Sequence, residues 1–137
     1  MARIVLISCV KKKLDHAAKA REMYISPFFK FSLAYAESLD PDRIYILSAK
    51  YGLLKLDDRI EPYELTLNKM PMREVQRWSE KIMSKLEQLV DLEKDEIVFV
   101  AGYRYRKYLI PHIRHYDVPL EGLGIGRQLK YMKDHST

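Results

Sequence analysis

Three short runs constrain this chain more than any other feature: Ala2-Arg3-Ile4-Val5-Leu6-Ile7-Ser8, Arg43-Ile44-Tyr45-Ile46-Leu47 and Asp95-Glu96-Ile97-Val98-Phe99-Val100-Ala101. Each is a nearly continuous stretch of apolar and β-branched residues rather than a strict alternation, which is the pattern of a strand covered on both faces. Segments with helical periodicity lie between them, and strands that alternate with helices build parallel sheets through right-handed crossovers. The expected fold is a single α/β domain over residues 1–137, three-layered, with three to four mostly parallel strands flanked by helices.

The helices have their own signals. Ser26-Pro27 reads as a start, because serine caps free amides and proline is favoured at the first helical position. Phe28, Phe31, Tyr35 and Leu39 follow at helical spacing, and Asp40-Pro41-Asp42 ends the segment. Pro71 opens the clearest helix, with Val75, Trp78, Ile82, Leu86 and Leu89 on one stripe. A short helix is expected after Gly102, limited by Pro111, then a brief fourth strand within His115–Leu120 and a final helix over about Arg127–Met132. Leu14 to Tyr24 reads as a loop, and Lys50 to Pro71 as a long loop holding some short structure.

Composition narrows the function classes. Hydrophobic residues at 47% and charged residues at 31% describe a globular chain. No run is long enough to span a bilayer and the amino-terminus lacks a signal-peptide core, so a cytoplasmic protein with no membrane partner is expected. The single cysteine, Cys9, can form neither an internal disulfide nor, alone, a zinc site. No metal and no cofactor are expected. A formal charge of +5 favours an anionic partner, either a nucleic acid or a nucleotide.

In a parallel sheet, ligands sit outside the carboxyl ends of the strands. Four segments fall there: Cys9 to Lys13, Ser48 to Leu54, Gly102 to Lys107, and Glu121 to Arg127. Lys11, Lys12 and Lys13 offer mobile ammonium groups to phosphates. The turn Ser48-Ala49-Lys50-Tyr51-Gly52-Leu53-Leu54 supplies polar contacts in Ser48 and Lys50, a stacking ring in Tyr51, a backbone bend at Gly52 and a core anchor in Leu53 and Leu54. Tyr103-Arg104-Tyr105-Arg106-Lys107 interleaves aromatics with cations, which suits base stacking beside phosphate contact. Gly122, Gly124 and Gly126 precede a helix and let backbone amides approach an anion. Glu61, before Pro62, and Glu121 are the carboxylates to orient a water or steady a cationic transition state.

Taken in order, Ser8-Cys9-Val10-Lys11-Lys12-Lys13, Tyr24, Ser26-Pro27 and Phe29, then Ser48-Ala49-Lys50-Tyr51-Gly52-Leu53, Glu61-Pro62-Tyr63, and Pro119-Leu120-Glu121-Gly122-Leu123-Gly124-Ile125-Gly126 resemble a family of small microbial and phage domains of uncharacterised function. That family is distantly similar to the YaaA-like DNA-binding proteins and, in layout, to uracil-DNA glycosylase-type α/β domains. The resemblance implies a nucleic-acid base as ligand, DNA rather than RNA, and cleavage of an N-glycosidic bond as the reaction. Glu61 and Glu121 are then the catalytic candidates. Ser8, Cys9, Lys11, Lys13, Ser48, Lys50, Tyr51, Gly52, Tyr63, Tyr103, Arg104, Gly122 and Gly124 are the substrate-binding set. A non-catalytic DNA- or RNA-binding module and a nucleotide-binding enzyme or sensor stay open beside it, as does the oligomeric state.

Overall fold

A computed structural model describes residues 1–136. In chain order, β1 (Arg3–Ser8) leads through the two-residue β2 (Ala18–Lys19) and the single-turn α1 (Ala20–Met23) to α2 (Pro27–Ser38) and β3 (Arg43–Ser48). β4 (Gly52–Lys55), β5 (Arg59–Ile60) and a 3₁₀ turn (Leu67–Lys69) come before α3 (Met72–Leu89). β6 (Glu96–Val100), α4 (Tyr103–Arg106), a second 3₁₀ turn (Ile110–His112), β7 (Tyr116–Asp117) and α5 (Ile125–His135) complete the chain.

The three apolar runs form the centre of a five-stranded sheet of order β4-β3-β1-β6-β7. β1 pairs in parallel with both β3 and β6, with Leu6 level with Tyr45 on one side and Phe99 on the other. β7 adds a parallel strand beside β6, and β4 folds back antiparallel on β3 at the opposite edge. Ile4, Val5, Leu6, Ile7, Ile46, Leu47, Ile97 and Phe99 are all buried, which is why these strands lack alternation. The chain moves from β1 to β3 on one side and from β3 back past β1 to β6 on the other; with the right-handed crossovers that parallel strands require, α2 and α3 fall on opposite faces. α5 joins α2 on its face, where Tyr35 and Tyr131 meet edge-on at 5.7 Å.

Ser26 caps α2 by accepting from the Phe29 amide at 3.2 Å, and Asp40, at φ 53°, turns the chain out of it. Aspartate tolerates that left-handed conformation better than most residues. The stripe of α3 is buried as its spacing predicts: Val75, Trp78, Ile82 and Leu86 all point inward. Each such side chain contributes about 1.5–3 kcal/mol through burial.

Three features differ from the sequence reading. The segment expected as a loop from Leu14 to Tyr24 holds β2 and α1, and β2 pairs antiparallel with β5 from the long segment after Lys50. The most buried positions of α2 are Phe29, Ser32, Tyr35 and Ala36, with Phe28 and Phe31 only half-buried, because the helix packs between the sheet and α5. α5 begins two residues earlier than expected, so Gly126 lies inside its first turn and Gly124 takes the capping position. Two-residue strands and single turns have too few residues to show a period, which is the physical reason the first of these was missed.

Candidate functional site

The strand order reverses between β1 and β6, because the chain moves from β1 to β3 on one side and then returns past β1 to β6. In open α/β sheets, ligands bind outside the carboxyl ends at such a switch point. Cys9 and Tyr105 face each other there. The Cys9 sulfur lies 3.4 Å from the Tyr105 hydroxyl, and both side chains are buried. The Leu67 amide donates to the same hydroxyl at 3.4 Å. Burial, together with Cys9, raises the Tyr105 pKa and keeps the phenol neutral.

A second cluster sits where β1 and β3 end. Ser48, fully buried, is the last residue of β3, and its hydroxyl meets the Tyr63 hydroxyl at 2.7 Å while accepting the Tyr51 amide at 3.0 Å. Tyr63 in turn meets Tyr24 at 2.7 Å. The Trp78 indole donates to the Ser48 carbonyl at 2.9 Å, fixing α3 against the turn. No buried side-chain polar atom among the described residues lacks a partner. Desolvation pushes Tyr24 up to about 12 and Tyr63 higher, so this is a hydroxyl network that stays protonated.

Lys13 covers that network. Its ammonium stands 4.4 Å from the Tyr63 ring centroid and 5.8 Å from that of Tyr24, within cation–π range. Desolvation lowers its pKa, and the Cys9 thiol and Glu64 carboxylate oppose that shift. The position is set by backbone: Lys13 pairs with Tyr24 in an isolated antiparallel bridge, and the Ile25 amide donates to the Lys12 carbonyl at 3.1 Å. Lys11 and Lys12 are exposed at the mouth.

Tyr51 forms the lip. Its ring packs edge-on to Tyr63 at 5.6 Å, the Lys50 ammonium lies 5.3 Å from its centroid, and its hydroxyl bonds the backbone of Glu61, accepting from the amide at 3.3 Å. Gly52, at φ 75°, makes the bend that lets Leu53 and Leu54 enter the core. Ser8 is half-buried at the end of β1. Across the crevice, exposed Tyr103 carries Arg106 and Lys107 at 5.6 and 5.5 Å from its ring.

The remaining candidates have other surroundings. Arg104 donates to the carbonyls of Leu67 (2.9 Å) and Met70, holding the first 3₁₀ turn against α4. Arg106 donates to the Ala101 carbonyl at 2.9 Å and lies 3.8 Å from the Glu121 carboxylate, which joins the segment after β7 to the one after β6. Glu61 and Glu121 are both exposed. Gly122, at φ 83°, and Gly124 are exposed, with open space where a Cβ would stand. Sequence reasoning left Tyr24, Tyr105 and Trp78 out of the site. The signal for Tyr105 was present, since residues 103 and 105 point to opposite sides of a helical turn and one must face inward.

No group of three or more His, Cys, Asp or Glu residues within metal-holding reach occurs among the described residues, and no helix of theirs is long and apolar enough to cross a membrane. The fold and this edge define a doubly wound α/β domain whose switch point carries a buried hydroxyl network beneath a basic rim. The chain belongs to a family of unknown function, DUF6884, whose pattern matches residues 4–134. No curated protein matches it.

Proposed function

We propose that this domain binds nucleic acid, DNA rather than RNA, at the carboxyl edge of its sheet and takes an extruded or single-stranded base there, with hydrolysis of the base–sugar bond as its reaction. One observation carries the reading. Tyr51 is an exposed ring held from three sides by Tyr63, Lys50 and the Glu61 backbone. A pre-ordered aromatic beside a cation stacks a base at little entropic cost and meets its phosphate at the same time. Tyr103, with its own two cations, repeats the arrangement at the end of β6.

In this reading Lys11, Lys12 and Lys13 meet phosphates and Tyr51 stacks. Glu61, fixed through its backbone to the stacking tyrosine, orients water or stabilises an oxocarbenium-like sugar, with Glu121 in the alternative position. Flipping a base costs about a few kcal/mol, so single-stranded or damaged substrates come first. The resemblance in layout to glycosylase-type domains supports this chemistry as analogy. The proposed compartment is the cytoplasm.

A second reading, a binding module without catalysis, is favoured by the exposure of both carboxylates. An acid tuned for catalysis usually sits in a desolvated site. A screen of lesion-bearing oligonucleotides and free nucleosides, followed for binding and for released base, separates the readings. Release of a base from one lesion class supports the enzyme; binding without release leaves the module. Binding of a mononucleotide alone overturns both.

A further inference from the structure

Arg73, Arg77, Lys81 and Lys85 follow one another at four-residue intervals along α3. Four residues advance a helix by about 6 Å and overshoot a full turn by about 40°, so the four cations wind as a shallow ridge about 18 Å long, of which Arg77, Lys81 and Lys85 border one groove. All are exposed, and none joins a salt bridge among the described residues. Like charges at this spacing repel and weaken a helix. Glu74 and Glu80, three residues either side of Arg77, offset part of that repulsion, and the ridge keeps a net positive charge that suits an anion.

The row runs to the lip of the candidate site. Arg77, Lys81 and Lys85 share a groove of about 330 Å³ with Lys50 and Tyr51, and Glu74 is the one acid lining it. Trp78 and Ile82 are part of its lining as well. Lys85 also donates to the Leu53 carbonyl at 2.9 Å, which pins the far end of the row to β4. On their other flank the same three cations border a more open groove of about 510 Å³ that includes Glu80.

We infer that this groove is a track for the phosphodiester backbone of a single nucleic-acid strand, delivering it to Tyr51. The inference rests on the proposed reading of that site and adds the path the strand takes. A linear row of cations on a rigid helix, ending at a fixed aromatic, matches a polyanion with a π-face at each phosphate. A lipid surface would need apolar side chains on this face, and the apolar stripe of α3 is buried instead.

Binding of a single-stranded DNA oligonucleotide across a salt series tests it, using the full chain. Each phosphate contact on a single strand contributes about 0.7 to the slope of log affinity against log salt. The double variant Arg77→Gln/Lys81→Gln should lower that slope by about 1.4 and weaken binding by about 10- to 30-fold at 0.1 M salt. The charge-retaining pair Arg77→Lys/Lys81→Arg should keep the wild-type slope. Lys30→Gln/Lys133→Gln, which removes two charges from α2 and α5, should leave both quantities nearly unchanged. If the first pair binds like wild type while Tyr51→Ala weakens binding, the track is overturned and the base site stands. Equal losses in the two neutralised pairs would reduce the effect to net charge and overturn it too. Absence of oligonucleotide binding by the wild type would overturn track and base site together.

Discussion

The hydroxyls of Ser48 and Tyr63 meet at 2.7 Å, tying the last residue of β3 to the extended segment that carries Glu61. Ser48 also accepts the Tyr51 amide, so one serine ties the Tyr51 turn to Tyr63. Removing its hydroxyl leaves a buried phenol and a backbone amide short of partners. Ser48→Ala should cost about 1–3 kcal/mol in unfolding free energy, and Tyr63→Phe a similar amount. Denaturant unfolding of the two single variants and the double variant checks this. A double variant that loses less than the sum of the singles is expected, since the two groups satisfy each other.

Alkaline stability should report the buried phenols. Tyr24 has its pKa raised from 10 to about 12 by burial, so between those values the folded state holds a proton that the unfolded state has lost. Its contribution is fully present below pH 10 and falls away as pH rises through 12. Tyr24→Phe should therefore flatten the loss of stability in that window. Tyrosinate absorbance followed against pH, beside thermal unfolding, gives the measurement; a wild-type Tyr24 that ionises near pH 10 would contradict it.

Gly52 offers a backbone test. At φ 75° it sits where side chains are strained, while a Cβ there would meet only Ile82 Cδ1 at an ordinary 3.7 Å. Strain alone should then cost Gly52→Ala about 1–2 kcal/mol. A thermal melt would show the loss, and Ile82→Val in the same background should not restore it, because crowding is not the cause.

Much of the frame was legible because burial on both faces leaves a run of apolar residues that no other element of this length produces. Arg3–Ser8, Arg43–Ser48 and Glu96–Val100 were marked in this way, and the five-residue stripe from Val75 to Leu89 marked α3. A parallel arrangement of those strands places Cys9, Ser48, Tyr51 and Tyr103 at one edge from the order of the runs alone. The partners within that edge were not legible. Tyr24 and Tyr63 are 39 residues apart and Cys9 and Tyr105 are 96 apart, and nothing periodic links such pairs. Arg104 illustrates the reverse case: its composition suggested phosphate contact, while its place beside the Leu67 turn spends the guanidinium on backbone carbonyls. Arg77, Lys81 and Lys85 fall off the apolar stripe of α3 by spacing alone; their distinction lies in sharing a groove with the Tyr51 turn, which only the packing of α3 against β4 reveals.

The affinity of wild type, Tyr51→Phe and Tyr51→Ala for one single-stranded DNA oligonucleotide tests the central claim most directly. Stacking on an aromatic side chain is worth about 1–3 kcal/mol per base, so Tyr51→Ala should bind about 5- to 150-fold more weakly. Tyr51→Phe keeps the ring and loses only its tether to Glu61, so it should fall between the two. Tyr51→Phe keeps the packing on Tyr63 and should unfold close to wild type, while Tyr51→Ala loses that packing and should unfold somewhat lower, so affinities are compared well below both midpoints. Equal affinity of Tyr51→Ala and wild type, with the fold intact, would contradict a base-binding role for the lip of this crevice.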